Sequence, residues 1–296
     1  MAFPTSSRRQ QPVLLFFVLA FAWSWAWWGT AAVTGARVTE PPGLLLYLLG
    51  VLGPLVGAVW MVHRRGRMYR QEFLRRVVDP RGISARWWLA LLAVAAGPAA
   101  LGAVGASVAG RAGTAPGFSV GAAAVLMGPA LVAGLVEEPG WRGAVSDAWQ
   151  VRTRPVWAAT GIGVLWSLWH LPLSIIESSY YHELGAGSLR FWLTHLMLVQ
   201  LGVLLVWLAN GSGGSILVAV LAHAAFNVAV GLAPGGLAFD VVALLALTAA
   251  TSAVISVTRG RLCFAGDATA QPSSSNVTGR PQRRHRCNFR SSSQRP

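Results

Sequence analysis

Lysine is absent from the chain, acidic residues number only ten, and charged residues make up 11% of its 296 positions. A soluble domain carries about a quarter charged residues, so this shortage excludes an ordinary water-soluble fold. Cysteine is scarce too. Cys263 and Cys287 are neither a disulfide framework nor a spaced metal site, and both fall in a segment read below as cytoplasmic, where thiols stay reduced. The soluble zinc-protease pattern HExxH is missing.

What the chain has instead is apolar length. Hydrophobic residues reach 54%, and a membrane span needs roughly 20 of them in a row to cross a hydrocarbon core of about 30 Å. Eight stretches qualify: 13–35, 43–62, 87–109, 119–148, 155–176, 189–209, 213–232 and 237–257. The first follows Arg8 and Arg9 but is too long and tryptophan-rich for a signal peptide. The expected fold class is therefore all-α, a polytopic membrane helical bundle of about eight transmembrane helices. Its organisation would be a cytoplasmic tail over 1–12, a helical domain over 13–258, and a basic, disordered cytoplasmic tail over 259–296.

The net charge of +14 comes from arginine alone. It is no nucleic-acid signature, because the arginines fall on alternate connections. With the N-terminus inside, 21 of 24 lie on the inner side, leaving Arg37, Arg111 and Arg190 outside. Positive charge is retained in the cytoplasm, which gives an N-in, C-in chain in a bacterial plasma membrane. Trp87, Trp88, Trp157 and Trp192 start spans, where indole rings anchor at the interface. Between His63 and Arg86, the apolar Met68, Phe73, Leu74, Val77 and Val78 suggest a short amphipathic helix on the inner surface. A solvated basic loop is the plainer reading. The Asn276–Thr278 sequon would go unused on the inner side, and no internal repeat suggests a transporter built from two halves.

Polar residues at membrane depth carry the functional information. Glu137 and Glu138 sit side by side in the fourth apolar stretch, where each charge costs on the order of 2.5–3.5 kcal/mol on insertion scales. Arg142 lies four residues beyond Glu138, the favoured order for an ion pair, and Pro139–Gly140 would kink the helix between them. Glu137 points about 100° away, so it must be protonated or find a donor on another span. His170, His223 and Asn227 can reach the same layer, the last two as an i, i+4 pair. A lone histidine in a span is more often an interhelical hydrogen-bond partner than a catalyst. His195 stays in that class, and His63, His182 and His285 belong to connections. Only the convergence of several polar groups at one depth points to a site.

Three motifs then stand out. Glu137-Glu138-Pro139-Gly140-Trp141-Arg142 has the form EExxxR; Trp166-Ser167-Leu168-Trp169-His170 places an aromatic ring ahead of a histidine; His223-Ala224-Ala225-Phe226-Asn227 has the form HxxxN. In this order, on successive apolar segments over about 120–232, they resemble the CPBP family of intramembrane proteases, the type II CAAX prenyl endopeptidases and bacteriocin-processing (Abi-like) proteins. The second motif usually begins with Phe; Trp166 keeps the aromatic bulk, so the departure bears on packing.

The resemblance implies an endopeptidase acting on membrane-associated proteins or peptides, prenylated or bacteriocin-type. Glu137 would be the general base and His170 its partner, His223 and Asn227 would stabilise the oxyanion, and Glu138 and Arg142 would orient the site. Cofactor use is left open: Glu137, His170 and His223 could supply a zinc site or work without a divalent metal. The expected partners are the lipid bilayer and a membrane-associated substrate, with no nucleic acid. Water must reach the cluster, and the cytoplasmic side is the expected one. The rivals are a non-catalytic immunity or scaffold protein of the same fold and a proton-coupled transporter.

Overall fold

The computed structural model describes residues 6–110 and 119–264. Among these, the regular structure is helical. In chain order the α-helices are α1 (Ser6–Thr34), α2 (Pro41–Val51), α3 (Gly53–His63), α4 (Arg67–Val78), α5 (Ala85–Val108), α6 (Val120–Glu138), α7 (Ser146–Gln150), α8 (Pro155–Trp169), α9 (Tyr180–Glu183), α10 (Leu189–Gly211), α11 (Ile216–Gly231) and α12 (Leu237–Val257). The chain is an all-α polytopic bundle.

Among the described residues, seven helical stretches are long and apolar enough to cross a membrane, rather than eight. The shortfall is α11, at 16 residues, or about 24 Å at 1.5 Å per residue. Its ends are cut by glycine pairs in left-handed conformation, Gly213–Gly214 before it and Gly235–Gly236 after it. It packs between α5 and α6, inside the bundle. A helix surrounded by protein has no need to match the hydrocarbon thickness.

Glycine sets the closest approaches. The second span is broken at Leu52, where Pro54 enters the first turn of α3, and its inner face is Gly50, Gly53 and Gly57. A Cβ on these would strike the Trp28 indole at 2.1 Å, Ser24 Oγ at 2.1 Å and the Phe16 ring at 2.7 Å. Helix α1 therefore lies in a groove that only glycine leaves open. Helix α8 meets α10 in the same way, with Gly163 facing the backbone of Val199 and Gly202. Small residues allow this where the solvent is as apolar as the side chains.

Helix α4 forms as the pattern over 63–86 suggests, but its apolar residues divide. Phe73 turns inward with Tyr69, while Met68, Leu74 and Val78 remain 78%, 62% and 66% exposed. Arg76 clamps the helix to the bundle, reaching Asp147 Oδ2 at 2.7 Å and the Gly214 carbonyl at 2.6 Å. Burial pulls the Arg76 guanidinium below its ordinary range.

Two expectations need correction. Trp87 is no interfacial anchor: it is buried against Trp207, with ring centroids 5.1 Å apart. Trp157 and Trp192 are exposed as anchors should be. Helix α1 begins at Ser6, ahead of its apolar span at Pro12. The C-terminal tail does not begin at 259. Leu262 and Cys263 are buried, and the Gly260 carbonyl accepts from Val156 N at 3.2 Å. Arg111, Asn276, His285, Cys287 and the disordered stretch expected at 265–296 lie outside the described residues.

Gly50→Leu should lower the thermal unfolding midpoint in detergent, because overpacking costs about 1–3 kcal/mol. Gly97→Ala, whose added methyl meets nothing within 4 Å, should leave it unchanged or raise it.

Candidate active site

Helix α6 does not stop at its two glutamates; it widens. Residues Pro139–Val145 form a π-helical turn leading into α7. Proline has no N–H to give and its ring crowds the preceding turn, and Gly140 lies so close to Pro54 O that a Cβ would sit 2.6 Å away. Such bulges are frequent at functional sites. Here the turn carries Arg142 back onto Glu138, Nη1 to Oε1 at 2.9 Å, both side chains fully buried.

The same oxygen takes a second donor, His223 Nδ1 at 2.8 Å, across from α11. Gly134, one turn before Glu138, brings α6 and α11 this close: a Cβ there would be 2.7 Å from Val220 O. Among the described residues, Glu138 Oε2 and Arg142 Nε and Nη2 have no hydrogen-bond partner. The guanidinium lies instead over the Trp166 ring, 4.2 Å from its centroid, a cation–π contact.

Glu137 finds its donor on another helix. Trp166 Nε1 donates to Glu137 Oε2 at 2.7 Å. Sequence reasoning treated Trp166 as aromatic bulk and missed this. The signal was present: a carboxylate without a partner on its own helix, and an indole N–H where the motif usually has Phe. Trp166 also stands between the two imidazoles, its ring centroid 5.5 Å from His170 and 5.3 Å from His223.

His170 ends α8, and its Nδ1 donates to the Trp166 carbonyl at 2.8 Å. That bond fixes the proton on Nδ1 and leaves Nε2 as the free ring nitrogen. Trp169 packs beside the imidazole at 4.7 Å, and its own N–H donates to Ser24 Oγ at 2.8 Å. Trp169 also packs on Trp28 at 4.6 Å, so the groove that seats α1 fixes the ring beside His170. Tyr181 covers the imidazole's other side at 5.0 Å. Burial holds its phenol well above the ordinary range, so it stays a neutral donor. No sequence signal marked Tyr181.

Glu137, His170, His223 and Asn227 all line one cavity of about 290 Å³. The first three are buried, at 5%, 7% and 4% exposure, whereas Asn227, one turn beyond His223, is exposed at the wall. The remaining lining is mainly aromatic and aliphatic, with no arginine. His195 is not part of it; its Nδ1 donates to the Phe191 carbonyl at 2.9 Å.

Among the described residues, no three His, Cys, Asp or Glu side chains form a group that could hold a metal, and no step below passes through a metal. The cavity and the arginine-rich connections lie toward opposite ends of the bundle. Tyr180, Tyr181, Val230 and Gly231, which line the cavity, belong to the end of the bundle where Val38 N meets Glu177 O at 3.2 Å. The arginine-rich connections pack together at the other end, as Arg154 Nη2 on Arg259 O and Arg76 on Gly214 O record.

A helical membrane bundle with buried acid and imidazole side chains and an exposed amide around one cavity is the class of protein that fold and site define. Comparison with known proteins shows what part of the chain resembles. Residues 119–229 match the model for type II CAAX prenyl endopeptidase Rce1-like proteins. The CAAX prenyl protease 2 of Methanococcus maripaludis is 34% identical over 98 residues, which cover 33% of this chain and 36% of that protein. The matched part thus spans about a third of the relative's length. Residues 119–229 are thus similar to type II CAAX prenyl endopeptidases, and they contain all three motifs.

Trp166→Phe removes the N–H and keeps a ring. A hydrogen bond to a charged group contributes about 1.5–3 kcal/mol, and unfolding of the variant should show a loss of that order. Trp207→Phe, whose N–H has no partner among the described residues, deletes the same atoms and should cost less.

Proposed function

We propose that the chain is an intramembrane endopeptidase that hydrolyses peptide bonds of membrane-associated substrates with a Glu137–His170 pair. The observation that carries this reading is the shared cavity: Glu137, His170, His223 and Asn227 line it together, inside the family-matched segment. A water held between Glu137 and His170 Nε2 attacks the carbonyl carbon, and its proton passes to that pair. The carbonyl oxygen becomes an oxyanion, facing His223 and the Asn227 amide. The proton then moves to the leaving nitrogen as the carbon–nitrogen bond breaks, giving a carboxyl group and an amine.

Each supporting residue has a defined part in this reading. Trp166 holds one oxygen of Glu137 and leaves the other to the water. The Glu138 carboxylate orients His223 through Nδ1, so the ring presents Nε2 to the cavity, as an oxyanion donor once protonated. With Glu137 and Glu138 negative and Arg142 and His223 positive, the buried charges cancel when the site is ready to react. The absence of arginine from the lining offers nothing to a free substrate carboxylate and suits cutting inside a chain. Prenylated and bacteriocin-type peptides both fit the apolar walls.

Purified full chain with an apolar-anchored fluorogenic peptide tests the proposal. Glu137→Gln should abolish turnover while insertion and the unfolding midpoint stay near wild type; retained turnover would remove Glu137 as base. Asn227→Ala should lower kcat by about 10²–10³, the usual loss for one oxyanion donor, with KM little changed. A parallel run with chelator should leave the rate unaltered if no metal takes part.

A further inference from the structure

The two ends of the bundle differ in charge. At one end lie twelve described arginines, over 64–86, 152–154 and 259–261, against the acids Glu72, Asp79 and Asp147. The other end carries Arg37 and Arg190 against four acids, Glu40, Glu177, Glu183 and Asp240. Both of its arginines are paired: Arg37 with Glu40 at 3.4 Å and Glu177 at 3.8 Å, and Arg190 with Asp240 at 2.6 Å. Arginine-rich connections are retained on the cytoplasmic side. The acidic end is then extracytoplasmic.

The cavity belongs to that second end. Trp28 lies in the last third of α1 and Tyr47 just past the middle of α2, on either side of the 35–40 connection. Thr194 opens α10 and Gly231 closes α11. Tyr180 and Gly231 are exposed as well as lining, so the cavity meets the exterior there. The arginine end is closed by packing: Trp87 fills the space over Gly211, where a Cβ would lie 1.9 Å from its ring, and Phe73 and Ile216 close on Gly143.

From this arrangement we infer that the cavity opens to the extracytoplasmic side, and that the chain draws its substrate from there. The substrate class is a membrane-anchored peptide whose cleaved segment emerges on that side and is neutral or basic, matching the net negative charge of that end, four acids against two arginines. The substrate clause rests on the proteolytic reading above; the direction of access does not.

Cysteine accessibility separates the two. In full-length chain with Cys263→Ser and Cys287→Ser, single cysteines are placed at the mouth (Tyr180→Cys), on its rim (Glu183→Cys) and on the arginine face (Arg81→Cys). A membrane-impermeant maleimide is then applied to bacterial spheroplasts expressing each variant. Tyr180→Cys and Glu183→Cys should label in intact spheroplasts, and Arg81→Cys only after permeabilisation. Any other pattern overturns the inference, including equal labelling from both sides. Two reporters with the same peptide tethered on opposite faces complete the test: the outward one should be cut, and cutting of the inward one would overturn the substrate clause. Correct labelling with neither reporter cut would refute proteolysis and leave the direction of access intact.

Discussion

Burying two adjacent carboxylates in an apolar bundle is the constraint from which the rest of the site follows. An uncompensated charge at this depth drives the helix out of the membrane or forces a proton on, so each acid needs its own donors. Glu138 takes Arg142 from the next turn and His223 from α11, and Glu137 takes the indole of Trp166 from α8. Three helices are thereby tied to two neighbouring residues. The glycines at 134, 163 and 202 are the steric counterpart of that tie, since the donors reach only if the backbones nearly touch. Stability and chemistry are coupled here: the groups that neutralise the acids also define the cavity.

Much of this was legible in the sequence. Apolar length set the fold class, and Glu138 with Arg142 could be paired by spacing alone. Convergence of Glu137, His170, His223 and Asn227 followed from depth along each helix, because a rise of 1.5 Å per residue is a reliable ruler. The misses have physical causes. The π-helical turn at Pro139–Val145 depends on the Pro54 backbone in another span, which no local pattern reveals. Trp166 was read as bulk because an aromatic ring's packing and its N–H are the same letter. Tyr181 comes from a four-residue helix in a connection, too short to carry periodicity. The shortness of α11 was not legible because composition cannot distinguish a lipid-facing helix from one enclosed by protein, and α11 is enclosed.

The expectation of a cytoplasmic opening had a different basis. It was taken from where a tethered tail would approach, not from the residues. The inferred direction of access rests instead on helix direction: α8 starts at the arginine face and delivers His170 at its far end, while α11 starts there and runs toward Gly231. The cavity therefore lies away from the arginine face. On that face α4 turns Met68, Leu74 and Val78 outward.

The most direct test is a double-substitution cycle on unfolding free energy at the buried pair. Glu138→Met and Arg142→Met should each be strongly destabilising, about 3–5 kcal/mol, because each strands the other's charge. Replacing both with methionine should recover most of that loss. Losses that simply add would mean the two side chains do not compensate one another, and would contradict the account of how this bundle holds its acids.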